Sequence, residues 1–314
     1  MTLTRHSTLA ASPASGAAGG AGLADGEGRS GHSRGILAES STDGVQILKV
    51  KPEIFLASIL LEPNRWTPGR IPSVAVSAWS ARAREAGFDG WELFENHYRL
   101  AGADERAAIA GGPLPIRVFN TYAEFTETGS DERRAALATA LRLGARAIKF
   151  NIGNDQSRIP HYRAAVAEAF EFLGGQARLW CECHPDTWLE EPGRIPDFCS
   201  PWRDWPFDVI LHPFQSGPAG VQRWGRMLGH HLVHAHVQTR SPDDPERFAR
   251  LSADPAHSDE CLAALWEIGF DGSFSLEFAA PTAGPKDEPE ALFAAARNDL
   301  EFLRERWPNS AAPI

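Results

Sequence analysis

From Gln46 onward the chain alternates eight times between a short run rich in Ile, Val, Leu and Phe and a longer segment rich in Ala, Arg and Glu. A strand buried on both faces reads as a near-continuous apolar run, and a following helix is the usual way to bring the next parallel strand alongside. The alternation therefore predicts repeated βα units. Strands are expected at Ile54–Leu61, Gly90–Phe94, Ile116–Tyr122, Ala147–Asn151, Arg178–His184, Asp208–Pro213, His231–Val237 and Ser273–Phe278. Helical patterns fall at Ser73–Ala86, Glu105–Ala110, Asp131–Leu143, Ile159–Leu173, Gly220–Leu228, Ser258–Ile268 and Glu288–Arg306. The fifth connection, Asp186–Trp205, carries three prolines and no clean helical period, so it is expected to be irregular.

The junctions agree with this reading. "REAGFDGWELF", "LRLGARAIKF" and "WEIGFDGSFSLEF" each place Gly just before a strand, where a helix C-cap needs a left-handed residue. The repeated "GFDG" before the second and eighth strands marks equivalent turns. Eight units in this length suit an α/β fold of the (β/α)₈ barrel type, which takes about 250 residues. A doubly wound open sheet would want a glycine-rich phosphate loop after the first strand, and "LLEPNRWTPG" contains no GxGxxG.

Composition narrows the partners. With 41 acidic against 31 basic residues the net charge is −10, so a nucleic-acid or anionic membrane surface is not expected. The longest strongly apolar stretch, Ile54–Leu61, falls far short of the roughly 20 residues that span a bilayer. Four cysteines, at 181, 183, 199 and 261, form neither a CxxC pair nor a disulfide-dense pattern, and read as reduced thiols in a cytoplasmic protein. Residues 1–44 contain 9 Gly, 8 Ala and 7 Ser without apolar periodicity, which predicts a disordered tail before a single barrel domain over 45–314. That segment also lacks the apolar core of a secretory signal.

Catalytic groups of such barrels stand at the C-terminal ends of the strands. The last four expected strands end "LWCECHPDT", "VILHPFQ", "LVHAHVQTR" and "FSLEFAAP", placing Glu182, His212, His236 and Glu277 at one mouth. Two imidazoles and two carboxylates suit one divalent ion, Mn, Co, Zn, Fe or Mg. Two carboxylates buried together without a cation would repel and take up protons. Alternation along the fifth strand puts Trp180, Glu182 and His184 on one face and turns Cys181 and Cys183 toward the helices. On the seventh strand it aligns His234, His236 and Gln238, with Arg240 just beyond. His184, Gln238 and Arg240 are candidate substrate ligands, and His234 lies deeper, in a structural position. Glu92, Asn96 and His97 in "ELFENH" could contact substrate or orient ligands. Lys149 is expected to pair with a carboxylate. Trp66 and Trp188 could form the apolar wall of a pocket.

"GFDGWELFENH", "CECHPDT", "HAHVQ" and "LEF" together resemble the xylose isomerase-like TIM-barrel superfamily, the sugar phosphate isomerase/epimerase group, over about residues 46–306. The resemblance implies that Glu182, His212, His236 and Glu277 hold a divalent ion and that Glu182 and Glu277 act as the acid/base pair. The reaction it implies is enediolate proton transfer on a ketose or related polyol, giving isomerisation or epimerisation. The departure is His212, where the group usually carries Asp in a D-x-x-H pattern. A nitrogen ligand there favours Zn or Co over Mg. The same barrel also serves lyases, among them inosose dehydratase-like enzymes and C-glycoside deglycosidase subunits, and the missing Asp admits a non-catalytic carbohydrate-binding barrel. The DNA-repair branch would need more metal ligands on strands two to four and a basic face. The expected partner is a small sugar or polyol; homo-oligomerisation is left open. No cluster of Arg and Lys stands out, which favours an unphosphorylated substrate.

Overall fold

The computed structural model describes residues 51–307 apart from 242, 245, 246, 281, 283 and 285; the tail expected over 1–44 lies outside the described residues. All eight strands form. They are β1 Ile54–Ala57, β2 Gly90–Phe94, β3 Ile116–Asn120, β4 Ala147–Phe150, β5 Arg178–Glu182, β6 Asp208–Leu211, β7 Leu232–Val237 and β8 Ser273–Leu276. Each pairs in parallel with its sequence neighbours, and β8 closes on β1, giving a (β/α)₈ barrel.

Outside the barrel run α1 Ser77–Ala86, α2 Glu95–Arg99, α3 Ala103–Ala110, α4 Ser130–Arg142, α5 Ile159–Leu173, α6 Arg194–Cys199, α7 Pro213–Leu228, α8 Pro255–Glu267 and α9 Pro289–Arg306. The sequence logic is plainest in α5. Pro160 sits in its first turn, Gly174 ends it in the left-handed region at φ 52°, and Tyr162, Ala165, Val166, Ala169 and Leu173 are buried at helical spacing against the barrel. The two "GFDG" turns are equivalent in space. Gly87 and Gly269 lie at φ 98° and 77°, and a Cβ on Gly272 would stand 2.1 Å from the Val233 carbonyl oxygen, so the neighbouring strand's backbone excludes a side chain.

Several boundaries differ from the sequence expectation. The apolar run Ile54–Leu61 is strand only to Ala57; Ser58–Leu61 turn into a short 3₁₀ segment, because the Ser58 hydroxyl accepts the Phe94 N–H and donates to His97 Nδ1. "ENHYR" is a helix, α2, and α6 forms within the proline-rich fifth connection. α7 begins seven residues before Gly220 and is broken at Gly217, φ 66°, beside Pro218. A two-stranded hairpin pairs Thr239–Arg240 with Phe248–Ala249.

Alternation along the strands fills the barrel in layers. The lower layer is apolar: Phe55, Val118, Ala147, Trp180 and Ile210 pack together, and the His234 ring lies between Phe55 and Trp180 at 5.9 and 4.9 Å. Both His234 nitrogens are satisfied, by Ser273 and Ser275. The next inward layer is polar, made of Glu92, Asn120, Lys149, Glu182 and His236, all buried. All four cysteines are buried and free, with Cys181 and Cys183 turned into the core between barrel and helices. No helix among the described residues is long and apolar enough to cross a membrane.

One buried carboxylate lies away from this layer. Asp299 of α9 accepts the Leu251 N–H at 3.0 Å, and burial pushes its carboxyl up to about 7 from 3.8. Because the folded value lies above the unfolded one, the stability linked to its proton is present below about pH 4 and is lost as pH rises toward 7. Asp299→Asn keeps the acceptor without the charge. It is expected to flatten that pH dependence and raise the Tm at pH 8 by about 2–6 °C; thermal unfolding curves at pH 5 and pH 8 that move in parallel with the parent would contradict this.

Candidate metal centre

The end of each of the last four strands supplies one donor to a single point. Glu182 is the last residue of β5, His236 lies within β7, and Glu277 follows β8 directly. His212 is one residue beyond β6, where its carbonyl receives the Ser216 N–H and starts α7; the strand expected to run to Pro213 stops at Leu211. All four side chains are buried, and one ligand atom from each lies within 4.8 Å of the others.

The contacts define which atoms face inward. His236 Nδ1 stands 2.9 Å from Glu182 Oε1 and 3.2 Å from Glu277 Oε2, and His212 Nε2 lies 3.2 Å from Glu182 Oε1. The other side of each group is tied down. His236 Nε2–H donates to Glu92 Oε2 at 3.1 Å, and Asn120 donates to Glu92 Oε1 at 3.0 Å. Gln238 Nε2 lies 2.5 Å from His212 Nδ1. Glu182 Oε2 receives Lys149 Nζ at 2.5 Å and Asn151 Nδ2 at 2.9 Å. This is the pattern in which outer partners fix the ring orientation of metal-ligating histidines.

Electrostatics favour a cation at the convergence. Glu92, Glu182 and Glu277 bring three negative charges into buried space, and Lys149 returns one positive charge, leaving two negative. Burial opposes the charge on Glu182, but Lys149, His212 and His236 overcome it and hold the carboxyl well below the usual range. Burial likewise opposes an imidazolium at His236, yet Glu277, Glu92 and Glu182 hold that ring above its ordinary value. A proton on His236 Nδ1 is thus drawn to the place a metal ion would take. Two nitrogens, two carboxylate oxygens and a net double negative charge fit a divalent ion. With His212 Nε2 as ligand, its Nδ1 would carry the proton and the Gln238 carboxamide would present its oxygen.

The remaining candidates divide. His184, about two-fifths exposed, lies with Nε2 3.8 Å from Glu182 Oε2, while its Nδ1–H donates to the Pro185 carbonyl at 2.5 Å. Half-exposed Trp66 stacks on Phe248 and Phe278, and the Arg240 guanidinium lies 4.0 Å above Phe248. Phe278 follows Glu277 in the chain and packs against Ala57, Ile59 and Phe94. The loop carrying Trp66 is pinned by the buried Arg65–Asp287 ion pair. His97 is placed otherwise: Nδ1 is taken by Ser58, and Nε2–H donates to Glu62 Oε2 at 3.1 Å. Burial opposes charge on Glu62, but hydrogen bonds from His97, the Asn64 N–H and Ser73 bring its carboxyl down to about 2. Glu92 is held by His236 and Asn120, and Gln238 Nε2 lies against His212 Nδ1. Trp188 packs at the edge of the main core with Arg194 over its ring at 4.5 Å. Sequence reasoning did not single out Asn151, although it stands where β4 opens, opposite Glu182.

No family model matches the chain, and no curated protein matches it. Solved structures do. The probable 3-DHS dehydratase AsbF from Bacillus anthracis aligns with a TM-score of 0.60 at 14% identity, covering 80% of this chain and 98% of that one. The IolI protein with a binding zinc atom aligns with a TM-score of 0.59 at 14% identity, covering 81% and 99%. The 3-keto-D-glucoside 4-epimerase YcjR from E. coli aligns with a TM-score of 0.59 at 14% identity, covering 81% and 100%. The chain has the fold of the xylose isomerase-like TIM-barrel proteins.

Proposed function

We propose that the protein is a divalent-metal-dependent enzyme that moves a proton at the carbon beside a carbonyl of a sugar or polyol, as an isomerase or epimerase. The observation carrying this reading is the convergence of Glu182, His212, His236 and Glu277 on one buried point at the mouth of the barrel. An ion held there would supply Lewis acidity to a carbonyl and its neighbouring hydroxyl, acidifying the adjacent C–H. The zinc in IolI and the sugar chemistry named for YcjR support the reading. The donor set of two nitrogens and two oxygens favours Zn or Co.

The two glutamates are not equivalent. Glu182 has Oε2 occupied by Lys149 and Asn151 and Oε1 facing both histidines, which suits a fixed, ionised ligand. Among the described residues Glu277 has one such contact, to His236 at 3.2 Å. Glu277 is therefore the group with an oxygen left to accept a substrate proton. His184, whose Nδ1–H is committed to Pro185, offers a bare Nε2 at the same mouth and is the second proton-handling group. Trp66, Phe248 and Phe278 form the wall for an apolar sugar face, with Arg240 beside it for hydroxyls.

The pinning of Glu182 also favours a second reading. One available base and one imidazole suit loss of a β-substituent after proton removal, the outcome of a dehydratase, as well as proton return; the name of AsbF fits that arm.

Two measurements test these assignments. Metal-depleted protein is expected to take up one equivalent of Zn or Co, and Gln238→Met to weaken uptake by about 10–100-fold through loss of the His212 partner; unchanged affinity would remove Gln238 from the site. In deuterated water, metal-loaded protein is expected to exchange the proton beside the carbonyl of a ketose or inosose. Glu277→Gln should slow exchange by about 10²–10⁴-fold when parent and variant are compared at equal metal occupancy. Undiminished exchange in that variant would refute the role of Glu277, and the product separates isomer, epimer and elimination.

A further inference from the structure

A cleft of about 690 Å³ is lined by α2, α3 and α4 together with Arg70 and Tyr122. Its floor is apolar, with the buried rings of Phe94 and Phe119, and its rim carries Arg70, Arg99, Arg106 and Arg142. No described carboxylate pairs with any of these four guanidinium groups. The two glutamates of the cleft do not neutralise them: Glu95 is turned to β3, accepting the Thr121 hydroxyl at 2.5 Å and the Tyr122 N–H at 3.0 Å, and Glu132 is exposed and forms no ion pair among the described residues. Four positive charges against two negative, on a chain of net charge −10, make this a positively charged recess in an acidic protein.

Two of the arginines are tied to Asn96. Buried Asn96 donates to the Arg70 carbonyl at 3.1 Å and accepts from Arg99 at 3.2 and 2.8 Å, joining two of the four. Arg70 itself sits at φ 44°, a left-handed conformation that a long side chain adopts at a cost, and its guanidinium lies 4.1 Å over the Tyr122 ring. Tyr122 links the cleft to the metal centre: it lines the cleft, and Lys149 Nζ, which bonds Glu182, lies 4.7 Å from its ring.

We propose that this cleft binds the acidic group, phosphate or carboxylate, of the substrate, whose body passes Tyr122 to reach the metal centre. The substrate would then be an acidic sugar or polyol derivative, not a neutral one; this deepens the proposed function and rests on it. Guanidinium forks match phosphate and carboxylate oxygens two at a time, and a partly apolar floor strengthens that pairing by displacing water.

The test uses the full-length protein and equilibrium binding of glucose, glucose 6-phosphate, glucuronate and inorganic phosphate. One or both acidic sugars are expected to bind at least about tenfold more tightly than glucose, and the preference to shrink as salt rises. The phosphate and carboxylate arms identify the group. The double variant Arg106→Ala/Arg142→Ala, altered at two exposed helix positions, is expected to lose that preference while its metal content stays at the parent level. Equal binding of acidic and neutral sugars by the parent, or an undiminished preference in the double variant, would overturn the cleft. Arginine-dependent binding by a protein that takes up no metal would support the cleft as an anion site and overturn the catalytic reading.

Discussion

Three carboxylates buried together at the mouth of a barrel repel one another, and the arrangement of the whole mouth follows from how that repulsion is met. Lys149 compensates one charge, Asn120 and Asn151 donate to Glu92 and Glu182, and two imidazoles stand between the acids. Two negative charges remain for a divalent ion. The layer below is apolar, which raises the cost of leaving any of these groups unpaired and so fixes their rotamers. A replacement of one member is therefore felt by all the others through a shared set of hydrogen bonds.

Much of this was legible before the coordinates. Closely packed parallel strands leave a continuous apolar run, so the strands were readable, and an ionisable residue at the end of such a run is conspicuous. That is why Glu182, His236 and Glu277 could be named. His212 was named for the right place on a strand end that is in fact a helix start; its neighbour Pro213 suits the first turn of a helix as well as the end of a strand. Cys181 and Cys183 followed from strand parity alone.

What escaped was set by contacts between distant segments. α2 and α6 are short, and their residues satisfy no long helical period; α2 is held by Asn96 and His97 reaching back to the loop after β1. His97 looked like a ligand-type residue beside Glu92, and only the positions of Ser58 and Glu62 show that both its nitrogens are spent. The four arginines at 70, 99, 106 and 142 form no basic run, and the fold gathers them by laying three helices around one recess. A search for clustered charge along a chain cannot register a cluster that exists only across it.

The His234 ring, wedged between Phe55 and Trp180 beneath the donor set, gives the barrel a packed floor on that side. Among the described residues, Glu277 then opens toward the C-terminal ends of the strands, where Glu182 ends its own strand. For an enzyme of the proposed kind, product would then leave by the mouth through which substrate came, and the two would compete for that opening.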